Sequence, residues 1–360
     1  MTAADLRTAF AALGREEKLI LAMLAMAGEP MGRARLHEHM AAANLRDDDD
    51  LLAHDLARMH ALDLVTSSIG RGWCVQAELV WPALKAALDE GVFGDMALAY
   101  QHLTPMRRNW EGYAILRSYR QGVALLRIAL IGGGTPSDIG PILAACLSCH
   151  EAGYLHPLVD ICARPFEPEL FARIHPQMRD EVLTVLMENV QREPASAPLL
   201  RSYAEKHLHS AASSMALRAV MTEHLILCGR LDDANSLLDH LDESLGLFYA
   251  AVLLLLRDEL DGAVERFEVA LKALRRETGK RKMAFPGLGG HLYVLALLRS
   301  SNPKHHKAAE TYLDTTTRAV QNHDTAVYQQ LSMLRQVRSG TLDPAVLPTR
   351  NWEAAMQPFL

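Results

Sequence analysis

Aromatic residues make up only 6% of the 360-residue chain, and charged residues 22%. Cysteine is scarce as well: five, an odd number in so long a chain, do not make a disulfide framework, and a reducing cytoplasm is expected. No apolar run approaches the roughly 18 residues that a transmembrane helix needs. Residues 1–10 carry no basic leader ahead of an apolar core, so neither membrane insertion nor secretion is expected. Positive charge is not in excess. A net charge of −6 gives no bulk attraction to nucleic acid or to an anionic membrane, so any such contact has to come from a local patch. Sixteen histidines are dispersed, without an H-E-x-x-H pair or a defensible Ser, His and Asp arrangement. No cofactor, metal ion or catalytic residue is expected.

What the chain does have is an Ala- and Leu-rich hydrophobic fraction of 49%, which favours a mainly α fold. Its length suggests two domains, or one domain and a solenoid. The organising stretch is 223–278, where one small pattern occurs twice. Gly229-Arg230-Leu231-Asp232-Asp233-Ala234 leads into Leu237, Leu238 and Leu241; Asp258-Glu259-Leu260-Asp261-Gly262-Ala263 leads into Val264, Phe267, Ala270, Leu271 and Leu274. Each reads as a turn followed by an amphipathic helix. The small–large–small order of Ala263, Phe267 and Ala270 lets helices approach on either side of one bulky ring. Four consecutive leucines, Leu253 to Leu256, make the preceding helix apolar nearly all round, as suits a helix flanked on both sides. Ala234 and Ala263 are 29 residues apart, somewhat short of the period of about 34 in tetratricopeptide (TPR) repeats, and the two copies resemble TPR units. A third hairpin is expected from Leu292 to Leu298 and from Ala308, Tyr312 and Thr315.

At the start of the chain, apolar periodicity predicts helices over 5–28, 33–43 and from the acidic run Asp47 to Asp50 through Leu62. Two short strands, 64–69 and 73–76, flank a Gly70-Arg71-Gly72 turn, and a closing helix begins near Trp81-Pro82. Three helices, a hairpin and a fourth helix in this order resemble a winged helix-turn-helix domain. The resemblance implies DNA reading by the third helix. Four aspartates at its N-terminus favour the helix dipole but repel a phosphate backbone, so a docking or packing role fits better.

Residues 100–127 are basic and aromatic: Arg107, Arg108, Trp110, Tyr113, Arg117, Tyr119, Arg120 and Arg127, with Glu111 the one acid after Arg107. Such a mixture suits a groove for single-stranded nucleic acid. The reading favoured here is an amphipathic helix with snorkelling arginines and a buried Trp. Gly132-Gly133-Gly134-Thr135-Pro136-Ser137 lacks the Lys-Ser or Lys-Thr of a phosphate loop, and reads as a break between helices with Thr135 or Ser137 as N-cap. Cys146-Leu147-Ser148-Cys149-His150 matches a haem-attachment motif but lies in an apolar helix of a chain without an export signal, where cysteines pack as core. Zinc on Cys146, Cys149, His150 and His156 or Cys162 lacks a second C-x-x-C pair to close the site. Between Pro165 and Pro198, proline-punctuated helices show no repeat signature, and a further helix is expected over 197–208.

The densest positive cluster follows the second repeat: Lys272, Arg275, Arg276, Lys280, Arg281 and Lys282, read as exposed groups at or beyond a helix end. Phe285-Pro286-Gly287-Leu288 then opens the helix Tyr293-Val294-Leu295-Ala296-Leu297-Leu298. This turn, set in degenerate TPR-like hairpins after a winged helix, resembles the N-terminal region of large bacterial Snf-type DNA translocases of helicase superfamily two. The chain carries no ATPase motif, so the resemblance implies a docking or regulatory segment, or a separately encoded relative. The expected plan is a winged-helix-like domain over 1–95, helical hairpins over 96–210, TPR-like repeats over 211–340 and a tail over 341–360. The expected function is a non-enzymatic cytoplasmic scaffold with a helicase or nuclease subunit as partner. Its candidate contacts, with the partner or with nucleic acid, are Arg275, Arg276, Lys280, Arg281, Lys282, Arg107, Arg108, Arg117 and Arg120. A winged-helix transcription regulator with a TPR sensor array is the alternative.

Overall fold

Helix accounts for most of the described residues, as the composition predicts. The computed structural model describes residues 2–68, 72–149, 155–189, 197–208, 213–285, 287–319 and positions 336, 340 and 341. Two units emerge, Met1–His207 and Leu208–Leu360. Among the described residues no helix is long and apolar enough to cross a membrane.

In the first unit the elements run α1 (Ala3–Ala11), α2 (Arg15–Ala27), α3 (Arg33–Ala42), α4 (Asp49–Ala61), β1 (Val65–Ser68), β2 (Gly72–Val75), α5 (Val80–Asp89), α6 (Phe93–Leu103), β3 (Arg107–Arg108), β4 (Ala114–Ile115), α7 (Tyr119–Ile131), α8 (Pro136–Ser148), α9 (Pro157–Cys162), α10 (Pro168–Phe171), α11 (Pro176–Glu188) and α12 (Ala197–Leu208). The single helix expected over 5–28 is two. Leu13 turns into the core, and Gly14 starts α2 with its N–H donated to the Glu17 carboxylate at 3.0 Å. The unit is built around α2, whose residues from Leu19 to Ala27 are buried without exception. It packs against α3, α5, α6, α7 and β2. A helix enclosed like this loses its amphipathic stripe, which is why its sequence is apolar all round.

β1 and β2 pair antiparallel with Val65 opposite Val75. Met31 exchanges both backbone hydrogen bonds with Trp73, at 2.9 and 2.8 Å, and so adds a third short strand. Gly72 (φ 100°) makes this possible, since a Cβ there would lie 2.3 Å from the Met31 carbonyl. Thr135 caps α8 with Asp138 reaching back, as expected for the break after the glycines.

The second unit contains α13 (Met215–Leu227), α14 (Leu231–Leu237), α15 (Glu243–Leu256), α16 (Leu260–Thr278), α17 (Gly287–Arg299) and α18 (Pro303–Ala319). Consecutive pairs form three helical hairpins around one core. α14 is shorter than expected: it tightens into a 3-10 turn at Leu238–His240, leaving Leu241 outside the helix. Ala263, Phe267 and Ala270 are fully buried, and the Phe267 ring lies 5.7, 5.9 and 5.4 Å from those of Phe248, Phe285 and Tyr293. Gly289 leaves room for the same cluster, because a Cβ there would come within 3.0 Å of Phe248. Glu277 closes the far end of the second hairpin by accepting from the Ser244 hydroxyl (2.6 Å) and backbone N–H (3.2 Å).

Two outcomes follow from this packing. Phe267→Ala removes the ring against which Phe248, Phe285 and Tyr293 pack, and should cost roughly 3–5 kcal/mol in denaturant unfolding; an unchanged midpoint would show that the ring cluster is not the core. In the first unit, burial lowers the pKa of His39 below its ordinary 6.5, with Nδ1–H donated to the Arg35 carbonyl at 2.7 Å. Below 6.5 the unfolded chain therefore binds a proton that the folded one does not, and stability rises with pH through that window and falls on acidification. His39→Gln should flatten the dependence of the thermal midpoint on pH just below 6.5.

Candidate functional site

The nine arginines and lysines expected at contact surfaces divide by unit. Arg107, Arg108, Arg117 and Arg120 are exposed in the first unit, and the other five lie at or after the end of α16 in the second.

In the first unit the expected helix with a buried Trp is not what the chain forms. Residues 107–115 are a β-hairpin, with Arg107 opposite Ile115 and Arg108 opposite Ala114, and Trp110 at its tip is 91% exposed. The helix begins only at Tyr119, after Ser118 caps it. Asn109 makes the turn: its Oδ1 accepts from the N–H groups of Glu111 (3.0 Å) and Tyr113 (2.8 Å), a side-chain mimic of a backbone turn. Buried Gln121 clamps the hairpin's two roots. Its Nε2 donates to the carbonyls of Thr104 (3.2 Å) and Pro105 (3.1 Å), and its Oε1 accepts from Arg117 N–H (2.6 Å). Arg127, counted with the basic face in the sequence, is buried instead and donates to the carbonyls of Ala25 (2.8 Å) and Met26 (3.3 Å). Arg120 faces Asp160 at 3.8 Å.

The start of α4 is acidic in space as in sequence. Asp47, Asp48 and Asp50 are exposed, Asp48 caps the helix, and Asp49 pairs with Arg33 at 3.2 Å. Arg71 lies outside the described residues. Cys146 is fully buried, and burial pushes its thiol up to about 12 with Cys149 adding to the rise; Cys162 is likewise pushed up to about 12. Both thiols are buried among the core residues. His150 lies outside the described residues, and His156 caps α9. Among the described residues no three His, Cys, Asp or Glu side chains converge on a metal-sized site.

In the second unit the basic cluster separates into used and unused charges. Arg275 is half-buried: its Nε donates to the Met283 carbonyl (2.8 Å) and its terminal nitrogen to the Tyr312 hydroxyl (3.0 Å). Arg276 pairs with Glu243 on α15. Arg275 corrects the expectation of an exposed group, because α16 continues to Thr278 and its last turn still faces its neighbours; Arg276 is exposed as expected, although paired. Gly279, in the left-handed conformation, ends the helix. Lys280, Arg281 and Lys282 lie beyond it and are exposed, as is Lys272.

The loop that carries these cations runs on to Phe285, which helps to line a cleft of 390 Å³. Its walls are mostly apolar, with Ile226 of α13, Leu245, Phe248 and Val252 of α15 and Leu274 of α16, and Glu223 and Ser244 add polar groups. Burial raises the pKa of the Tyr249 hydroxyl on this wall, and the Glu223 carboxylate adds to it. Sequence reasoning missed the cleft, since its residues come from four helices and only packing brings them together.

Sequence reasoning also missed a cluster at the α17–α18 junction. Ser300 Oγ meets His305 Nδ1 at 2.8 Å and Asp261 Oδ1 at 3.4 Å. The composition is that of a hydrolytic triad, but the order is wrong: the carboxylate meets the serine, where a triad needs it on the imidazole. Ser300 is fully buried and also accepts from Asn302 N–H at 3.2 Å. The cluster fixes the turn into α18 and does not present a nucleophile.

Comparison of the chain with protein families, with curated proteins and with solved structures finds no match.

Arg281→Glu with Lys282→Glu should leave stability within about 1 kcal/mol, as for other exposed changes. Arg275→Ala should cost about 1–3 kcal/mol, because the Met283 carbonyl and Tyr312 hydroxyl lose their donor. Chemical denaturation of the two variants side by side checks this separation; equal losses would mean that the loop cations are held in packing as firmly as Arg275.

Proposed function

We propose that this chain is a non-enzymatic scaffold that binds an acidic amphipathic segment of another protein through its second unit. The observation that carries the reading is the mostly apolar cleft beside exposed cations that pair with no carboxylate among the described residues: the loop holding Lys280, Arg281 and Lys282 ends at Phe285 in the cleft wall. An apolar side chain of the partner would fill the cleft while carboxylates meet the loop. The apolar contact supplies affinity, and the charges supply orientation and encounter rate.

The finer architecture belongs to the same reading. Three successive helical hairpins with fully buried Ala263, Phe267 and Ala270 support TPR-like units. The helices α2 to α4, the Met31 strand, the β1–β2 hairpin and α5 support a winged helix over 1–95. The acidic start of α4 supports docking or packing for that module in place of DNA reading. By the resemblance to Snf-type translocases, the partner is a helicase or nuclease subunit, and the setting is the bacterial cytoplasm.

The test is capture from native host extract by the purified full chain, with the captured proteins identified by mass spectrometry. Wild type should retain a helicase or nuclease subunit at low salt. Two variants should release it: Lys280→Glu with Arg281→Glu and Lys282→Glu, and separately Val252→Asp at the cleft wall, once circular dichroism shows each is folded. Retention undiminished in both folded variants would overturn the proposal.

A further inference from the structure

The β3–β4 hairpin spends nothing of its tip on packing. Trp110 and Tyr113 are 91% and 68% exposed, and Ile115 is 48% exposed. An isolated two-stranded ribbon is marginal in water. This one is nonetheless held firmly. Gln121 clamps its roots, Leu116 is buried beneath it, Asn109 shapes its turn, and the Arg108 guanidinium donates to the Gly112 carbonyl at 3.0 Å. Rigid presentation of exposed rings lowers the entropy lost on binding.

The charge around the rings is one-sided. Arg107 and Arg108 lie on the first strand and Arg117 and Arg120 follow the second, with Glu111 the one acid between Arg107 and Arg127 in the sequence, while Arg120 faces Asp160 at 3.8 Å. Among the described residues no carboxylate pairs with Arg107 or Arg117. Arg107 sits opposite Ile115, and the Tyr113 carbonyl continues the ladder by accepting from Asn109 N–H at 2.9 Å. Strand alternation therefore puts Arg107, Tyr113 and Ile115 on one face.

We propose that this hairpin binds single-stranded nucleic acid, stacking unpaired bases on Trp110 and Tyr113 while Arg107 and Arg117 take the flanking phosphates. Two exposed rings amid guanidinium groups match a ligand that is both polyanionic and flat-faced, which is the makeup of single-strand grooves. A duplex does not fit, because its bases already cover one another's faces. The site lies wholly in the first unit and is independent of the cleft and loop of the second.

Fluorescence anisotropy of the full chain with labelled oligothymidylate, the same strand annealed to its complement, and labelled polyglutamate tests the assignment. The single strand should bind more tightly than the duplex or polyglutamate. Trp110→Ala with Tyr113→Ala should weaken it about tenfold or more, without a change in the thermal midpoint. Arg107→Gln with Arg117→Gln should lower the slope of log affinity against log salt by about one to one and a half, for two lost phosphate contacts. No binding of the strand, binding indifferent to loss of both rings, or polyglutamate bound as tightly with the same losses would overturn it; the last outcome would assign the hairpin to an acidic protein.

Discussion

A helix enclosed by its neighbours can cover its sides with apolar residues, but its last carbonyls still need donors. α2 meets this constraint in its most demanding form, because its C-terminus is sealed from water. An unsatisfied buried carbonyl costs about 1–3 kcal/mol. Arg127 resolves it by placing a cation on the Ala25 and Met26 carbonyls, where the helix dipole also favours positive charge. Burial lowers the guanidinium pKa while the Asp160 carboxylate pulls the other way. Gly28 completes the arrangement twice over. Its φ of 61° suits the left-handed turn, and a Cβ there would sit 2.3 Å from the Arg127 guanidinium. The placement of α7 follows, since it has to carry Arg127 over the end of α2. The hairpin follows from α7, because Gln121, six residues earlier on the same helix, holds both of its roots.

The second unit solves the same problem with side chains from α16. Glu277 takes the N-terminal donors of α15, and Arg275 takes the Met283 carbonyl of the outgoing loop. Both residues lie in the last turn of α16, so that turn is consumed by closing the hairpin. Three residues after Arg276 the left-handed Gly279 redirects the chain, and Lys280, Arg281 and Lys282 in the loop beyond it are exposed. The division between structural and available charge is thus a matter of where one helix stops.

Much of this was readable from periodicity. The hairpins of the second unit show in the order of Ala263, Phe267 and Ala270 because knobs and small residues at helical spacing have one stable packing. The break before Thr135 shows because glycine, a capping hydroxyl and proline each act locally. What the sequence hid depends on contacts between distant segments. Arg127 looks like a surface arginine until α2 is seen to end beneath it. Trp110 looks like core until Asn109 and Gln121 are seen to bend and anchor its strand. Arg275 and Arg276 share a stretch with Lys280 and Arg281, and no local rule tells which of them face Met283, Tyr312 and Glu243. The cleft has no signal in any one segment, since its walls come from α13, α15, α16 and the approach to α17.

Both exposed surfaces pair positive charge with apolar surface in a chain whose net charge is negative. That combination has a physical consequence. Long-range attraction to anions is weak here, and surface charges more than about 10 Å apart are screened at ordinary salt. The cations can therefore hold a partner only when something else brings it close. In the proposed readings that something is the apolar cleft ending at Phe285 for residues 280–282, and the rings of Trp110 and Tyr113 for residues 107–117. A polyanion without a flat or apolar group gains too little from either surface, and an apolar ligand without negative charge leaves the arginines and lysines unpaired. In the proposed readings discrimination arises from the requirement for both, which a strongly basic protein, binding any polyanion through bulk field, would not impose.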